Sequence, residues 1–291
     1  MGKLKLRPFR RKRKLNRTAG GAVLNVIIIA IFGIFMVLPL VYAIMQAFKP
    51  LDEIFIFPPR FFVRNPTLDN FTDLFILMSE SWVPFTRYVF NTFFITIVGT
   101  VGHVIIASMA AYVLEKHKFP GSRLFFNLVV TSLMFAAAVT AIPNYLIMSK
   151  IGFLDTYLAL IVPAFGYSLG LFLMKQFMET IPNSLLESAR MDGAGEFHTF
   201  WKIAMPMVKP AWLTLVIFSF QILWGELGST FIYSEQLKTL PYALNQILLG
   251  GFARAGAGAA ATLLIMIVPI ILFMVAESNV IQTMATSGIK E

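Results

Sequence analysis

Six long apolar runs constrain this chain more than any other feature. Residues 22–48, 88–114, 124–148, 158–178, 211–232 and 257–278 are each about as long as the ~20 apolar residues that let an α-helix cross a hydrocarbon core. Lipid offers no partner to a free N–H or C=O, so such a run must close its hydrogen bonds internally, as a helix. The alternation of a transmembrane barrel strand is absent. The chain therefore reads as an all-α membrane protein of about six transmembrane helices. Composition agrees, at 57% hydrophobic and 13% charged, where soluble domains carry about a quarter charged residues. One membrane domain (22–283) is expected, between a basic segment (1–21) and a short tail (284–291). The first run exceeds the ~7–15 apolar residues of a signal peptide and is expected to stay as a span.

The placement of charge sets the topology. The net charge is +9, and nine of the 24 Lys and Arg lie in 1–17, just ahead of the first apolar run. A basic stretch there is a topology determinant first and an anionic-lipid contact second; no nucleic-acid partner is expected. With the N-terminus inside, the inner segments carry 17 basic residues and the outer ones seven. The positive-inside rule therefore puts both termini, and the connection 179–210, in the cytoplasm.

Several chemistries are disfavoured. Zero Cys excludes disulfides and thiolate metal sites. His103 lies among Gly99, Gly102 and Ala107 with no second ligand near it, while His117 and His198 fall on the cytoplasmic surface, so no metal is expected. No Ser/His dyad or paired carboxylate shares one membrane depth, as an intramembrane protease or glycosyltransferase would need. No catalytic residue is assigned. There is also no Gly-x-x-x-x-Gly-Lys-Ser/Thr, so the chain has no phosphate cradle and binds no cofactor of its own.

The longest inner connection, 179–210, is too polar to span and too patterned to be a linker. Ser184 and Glu187 have capping-box spacing, a helix from Leu185 ends at Gly193, and a second helical stretch (196–204) stops before Pro206. Phe197, Phe200, Trp201 and Ala204 make an apolar stripe at i, i+3, i+4, i+7. That stripe suits either a docking partner or the protein's own helix ends.

Here the residues match a family. Glu187-Ser-Ala-Arg-Met-Asp-Gly-Ala, with Ile203 ten residues after Gly193 and Pro206 three further on, resembles the EAA loop of binding-protein-dependent ABC importer permeases. The family pattern is Glu-Ala-Ala, three residues, Gly, nine residues, Ile, any residue, Leu-Pro. This chain departs at Ser188 and Met205, both small or volume-conserving changes. The Asp192-Gly193-Ala194 form resembles the maltose-type carbohydrate subfamily. So do Asn65-Pro-Thr-Leu-Asp-Asn-Phe71 and the tail Ile281-Gln-Thr-Met-Ala-Thr-Ser-Gly-Ile-Lys290.

The resemblance implies a non-catalytic transport subunit in the cell membrane. It implies a second permease subunit, two cytoplasmic ABC ATPases that hold the ATP and Mg, and an extracytoplasmic sugar-binding protein. Glu187, Ser188, Ala189, Asp192, Gly193, Ala194, Phe197, Phe200, Trp201, Ile203 and Pro206 would form the coupling loop on the ATPase. In the tail, Ser287, Gly288 and Lys290 would reach the ATPase pair. The cargo it implies is a carbohydrate, with an oligosaccharide favoured; another solute class remains the alternative.

Polar residues inside spans are costly and mark candidate paths. They are Asn91, Thr92 and Thr96 in the second span, Asn144 and Tyr145 in the third, and Gln221, Trp224 and Glu226 in the fifth. Trp224 with Glu226 suits a sugar, by stacking and by accepting hydroxyl hydrogen bonds. Against that, Trp is also the common interfacial residue, and Asn91 and Thr92 equally suit interhelical hydrogen bonds.

Overall fold

Three of the six apolar runs fold as single helices, two are interrupted and one ends early. The computed structural model describes residues 19–287, and no strand occurs among them. The whole helices are α1 (Ala19–Ala47), α4 (Phe85–Lys116) and α14 (Ala255–Ser287). Pro39 and Pro269 sit inside the first and last without ending them.

The third expected span is divided into α5 (Ser122–Ser132) and α6 (Ala137–Lys150). Between them the N–H groups of Leu133, Met134 and Phe135 reach back only three residues. The hydroxyls of Thr131 and Ser132 bond to the carbonyls of Asn127 and Val129, a competition with the backbone ladder that bends helices. The fourth run breaks at Gly166 and Tyr167 into α7 (Leu158–Phe165) and α8 (Ser168–Glu179). The Ser132 and Ser168 hydroxyls bond to each other, so the two breaks adjoin.

The fifth run is shorter than expected. Its helix, α12 (Lys209–Trp224), is capped at Gly225, and Gly228 takes φ +67°. Glu226 thus lies beyond the helix rather than on it, a correction to the expected span 211–232.

Segment 179–210 holds α9 (Asn183–Met191), α10 (Glu196–Thr199), a π-helical turn (Phe200–Ala204) and α11 (Met205–Met207). An 82° bend then separates this stretch from α12. Two expectations change here. The winding continues past Pro206 to Met207, because the π turn widens the helix where the proline ring would meet a carbonyl. The Ser184/Glu187 capping box does not form: α9 begins at Asn183 after Pro182, with no side-chain cap, and Glu187 is exposed.

Helix α4, roughly 48 Å long at about 1.5 Å per residue, is the axis of the core. It packs on α7, α8, α12 and the short α13 (Leu240–Leu248). Three apolar clusters follow along it. Tyr88 joins Leu74, Leu244 and Ala260 at one end. Ile95 meets Leu160, Ala164 and Leu223 in the middle. Ala107, Ala111 and Tyr112 meet Met178, Leu186, Phe200 and Ala204 at the other end. Close approach depends on glycine: a Cβ on Gly170 would stand 2.1 Å from His103 Nε2. Segment 179–210 and the connections 49–84 and 225–254 therefore sit at opposite ends of α4. In the latter, α2 (Leu51–Ile54) and α3 (Asp69–Ser79) are ordered, with buried Glu53 accepting from the N–H of Arg64 and Asn70 donating to the carbonyls of Ala47 and Lys49. Helix α1, by contrast, exposes apolar side chains along nearly its whole length.

Candidate functional site

Locally, segment 179–210 is shaped by Gly193. Its φ of +86° is the left-handed region that L side chains avoid. That turn lets Gly193 N–H return to the Arg190 carbonyl and Ala194 N–H to the Ala189 carbonyl, both at 3.0 Å, the double closure of a Schellman motif. The reversal folds α10 back beside α9. A cleft of about 530 Å³ opens on the outside of the turn, lined by Ala189, Asp192, Gly193, Ala194, Gly195, His198 and Ile203. Five of the residues singled out in the sequence share this one concave face: Ala189, Asp192, Gly193, Ala194 and Ile203.

The others lie elsewhere. Glu187 and Ser188 are exposed on α9, with the Ser188 hydroxyl donating to the Ser184 carbonyl at 2.6 Å. Phe200 is buried against Tyr112 of α4, with ring centroids 5.3 Å apart. Trp201 is half-buried and packs edge-on to Phe200 and Phe197. Only Phe197 of the stripe, at 71% exposure, is open to a partner. The stripe thus divides between the chain's own core and free surface, because the π turn shifts its register. Pro206 is exposed. Ser287 closes α14, while Gly288, Lys290 and the basic segment 1–18 lie outside the described residues.

Sequence reading missed the residues that hold this segment to the bundle. Lys116, at the end of α4, donates to the Ile181 carbonyl at 2.7 Å and to Asn183 Oδ1 at 3.2 Å. Glu196, opening α10, takes Arg190 Nε of α9 at 2.8 Å on one oxygen. Its other oxygen faces Tyr112 Oη at 3.4 Å and His117 Nε2 at 3.5 Å, both from the end of α4. Partial burial alone would raise the Glu196 carboxyl. The Arg190 hydrogen bond and charge, with His117, outweigh that and hold it below its ordinary value. The same hydrogen bond raises the Arg190 guanidinium. Opposite charges flanking the Gly193 turn were the one signal in the sequence; the α4 partners had none.

The candidate path residues do not form one site. Asn91 is fully buried: its amide donates to the carbonyls of Gln236 (2.9 Å) and Lys238 (2.8 Å) and accepts from Tyr157 Oη (2.7 Å). Thr92 donates to the Tyr88 carbonyl and accepts from Leu240 N–H. Trp224 is 3% exposed, stacked on Phe220, edged by Phe93 and donating to the Ile265 carbonyl. With both faces covered, its ring offers no platform to a sugar in this conformation. These three are committed to the fold, and buried Thr96 lies beside them on α4. Gln221 is exposed, and Asn144, Tyr145 and Glu226 are half-buried. Tyr145 pairs with Tyr233 at 3.0 Å, and Glu226 accepts from Gly228 N–H. Among the described residues, no group of three His, Asp or Glu could hold a metal.

Comparison with known proteins places the chain. Protein LplC of Bacillus subtilis (strain 168) is 34% identical over 224 residues, covering 75% of this chain and 72% of that protein. The sn-glycerol-3-phosphate transport system permease protein UgpE of Yersinia enterocolitica is 30% identical, covering 68% and 72%. The polygalacturonan/rhamnogalacturonan transport system permease protein YtcP of Bacillus subtilis (strain 168) is 28% identical, covering 78% and 80%. In fold, the chain is similar to a chain of a bacterial ABC transporter involved in the import of the acidic polysaccharide alginate. The TM-score is 0.75 at 21% identity, over 90% of this chain and 98% of that one. The profile of the binding-protein-dependent transport system inner membrane component family matches residues 103–284, a stretch that includes all of α9, the Gly193 turn and the cleft. This chain is a membrane-embedded member of that family.

Proposed function

We propose that this chain is one of two permease subunits of an ATP-driven importer. It moves a carbohydrate, most simply an oligosaccharide, handed over by an extracytoplasmic binding protein. It crosses the membrane six times, with α5/α6 and α7/α8 each counting as one broken crossing and both termini in the cytoplasm. The 17-to-seven bias of basic residues supports that orientation. Segment 179–210 docks on one of two cytoplasmic ATPases, which hold the ATP and Mg, and the tail Ser287, Gly288 and Lys290 reaches toward that pair.

The observation that carries the docking reading is the cleft at the Gly193 turn, which gathers Ala189, Gly193 and Ile203 of the family pattern, with Asp192 and Ala194, on one concave face. Carbohydrate is favoured because YtcP is named for galacturonan transport and the structural neighbour for alginate import. A phosphorylated polyol is the second reading, from the name of UgpE. Among the candidate path residues, Gln221, Glu226, Asn144 and Tyr145 keep surface that a passing solute could meet.

Tagged protein purified in mild detergent should bring down an ATPase and a second permease. Replacing Gly193 with Trp should leave membrane insertion intact and separate ATP hydrolysis from uptake. Normal coupled uptake by that variant would defeat the docking assignment. Measuring the ligand of the partner binding protein, oligogalacturonide against glycerol 3-phosphate, decides the cargo.

A further inference from the structure

The end of α4 holds segment 179–210 at two places, and the two holds differ in kind. Lys116 binds the start of α9 chiefly through a backbone carbonyl. Glu196 is a single carboxylate shared between Arg190 of α9, at its own side of the turn, and Tyr112 and His117 of α4. Remove that carboxylate and α10 loses its polar tie to α9 and to α4 at once. Apolar packing backs this point on one side only: Tyr112 and Phe200 are buried together, while Met109, Val113 and Phe197 line an open groove of about 280 Å³ beside Glu196. Meanwhile α4 itself runs through all three layers of the core. Apolar surfaces can slide on one another, so the shared Glu196 carboxylate supplies the directional link by which a displacement of the α9–α10 unit reaches α4 as a rigid-body movement.

We propose that Glu196 is the positioning residue that makes the α9–α10 unit and the end of α4 move as one body. It acts through Arg190, Tyr112 and His117 and touches neither cargo nor nucleotide. The proposal rests on the docking reading of segment 179–210.

The absence of cysteine from this chain makes a labelling test direct. Spin labels on Met36→Cys of α1 and Ile106→Cys of α4, both apolar positions exposed in this chain, report the movement of α4 against α1. The complex is purified with its ATPase and reconstituted in phosphatidylethanolamine/phosphatidylglycerol vesicles. The inter-label distance is then read without nucleotide and with ATP and vanadate, alongside ATP turnover.

In the otherwise unaltered chain the distance shifts on trapping. Glu196→Ala and the isosteric Glu196→Gln should each remove most of that shift while ATP turnover continues. A coupling loss of about fivefold or more is the scale expected for such a link. The exchanged pair Glu196→Arg with Arg190→Glu rebuilds the tie to α9 but sets a guanidinium, with no acceptor for the Tyr112 hydroxyl, against His117; it should leave the shift lost, and full recovery would overturn the α4 half of the joint. If both Glu196 variants keep the full shift while Gly193→Trp loses it, the joint is refuted and the docking reading stands. If Gly193→Trp also keeps the full shift, the docking reading falls and the joint falls with it.

Discussion

The two ends of α4 are tied to the chain in opposite ways. At the Tyr88 end, Asn91 and Thr92 are buried and every hydrogen-bonding group of the Asn91 amide is used on residues 236, 238 and 157. At the Tyr112 end, the ties are charged and partly wet: the Arg190 and Glu196 side chains are 39% and 53% exposed. A buried, saturated amide has one low-energy geometry, since any shift leaves a dry polar group unpaired. An exposed ion pair contributes little to stability and can break and re-form in water. One end is locked within the bundle by saturated buried hydrogen bonds, and the other is tied at the surface by charged groups.

This contrast is open to attack. The largest effect should come from the fixed end. Asn91→Leu strands two carbonyls and the Tyr157 hydroxyl, at a cost of about 4 kcal/mol, visible as a lowered thermal midpoint in detergent. A loss as small as that of an exposed polar residue would show that this end is not fixed by Asn91. Next is the packing of α4 against α8. Gly170→Ala places a methyl 2.1 Å from His103 Nε2, an overpacking cost of about 2 kcal/mol; the same assay with His103→Ala added should recover part of it.

Effects shrink at the displaceable end. Gly193→Ala meets no atom within 4 Å, so its cost is conformational strain alone, about 1 kcal/mol. It should be read as faster local hydrogen exchange across α9 rather than a shifted global midpoint. The smallest concerns pH. The Glu196 carboxyl is held below its ordinary 4.5, so its contribution is present above that value and is lost as pH falls through the depressed one. The stability gap between the unaltered chain and Glu196→Gln should therefore close only below pH 4.5. A gap already closed well above that value would show that the Glu196 carboxylate is not held by Arg190.

Much of the site was legible because it is local. The Gly193 turn follows from one residue's steric freedom and the hydrogen bonds of its immediate neighbours, so the motif spacing already implied two short helices hinged there. The capping box failed for an equally local reason, because the helix starts two residues early, at Asn183 after Pro182. The breaks at 133–136 and 166–167 were harder to see. Each lies in an uninterrupted apolar run and depends on hydroxyls and on contacts with a neighbouring helix. The Glu196 joint was illegible in its α4 half, since Tyr112 is 84 residues away in sequence.

That this chain lives in lipid, as helices, with its charge biased to one side, follows from the amino-acid order alone. Apolar length and basic residues act directly on the solvent, and no folding is needed to read them. Which polar residues are free depends instead on how the helices and connections pack. Asn91, Thr92 and Trp224 look like a path when read along one helix. Packed against 236–240, 157 and 265, they have spent their hydrogen bonds on the fold, because a polar group buried at that depth must be satisfied by whatever the chain brings beside it.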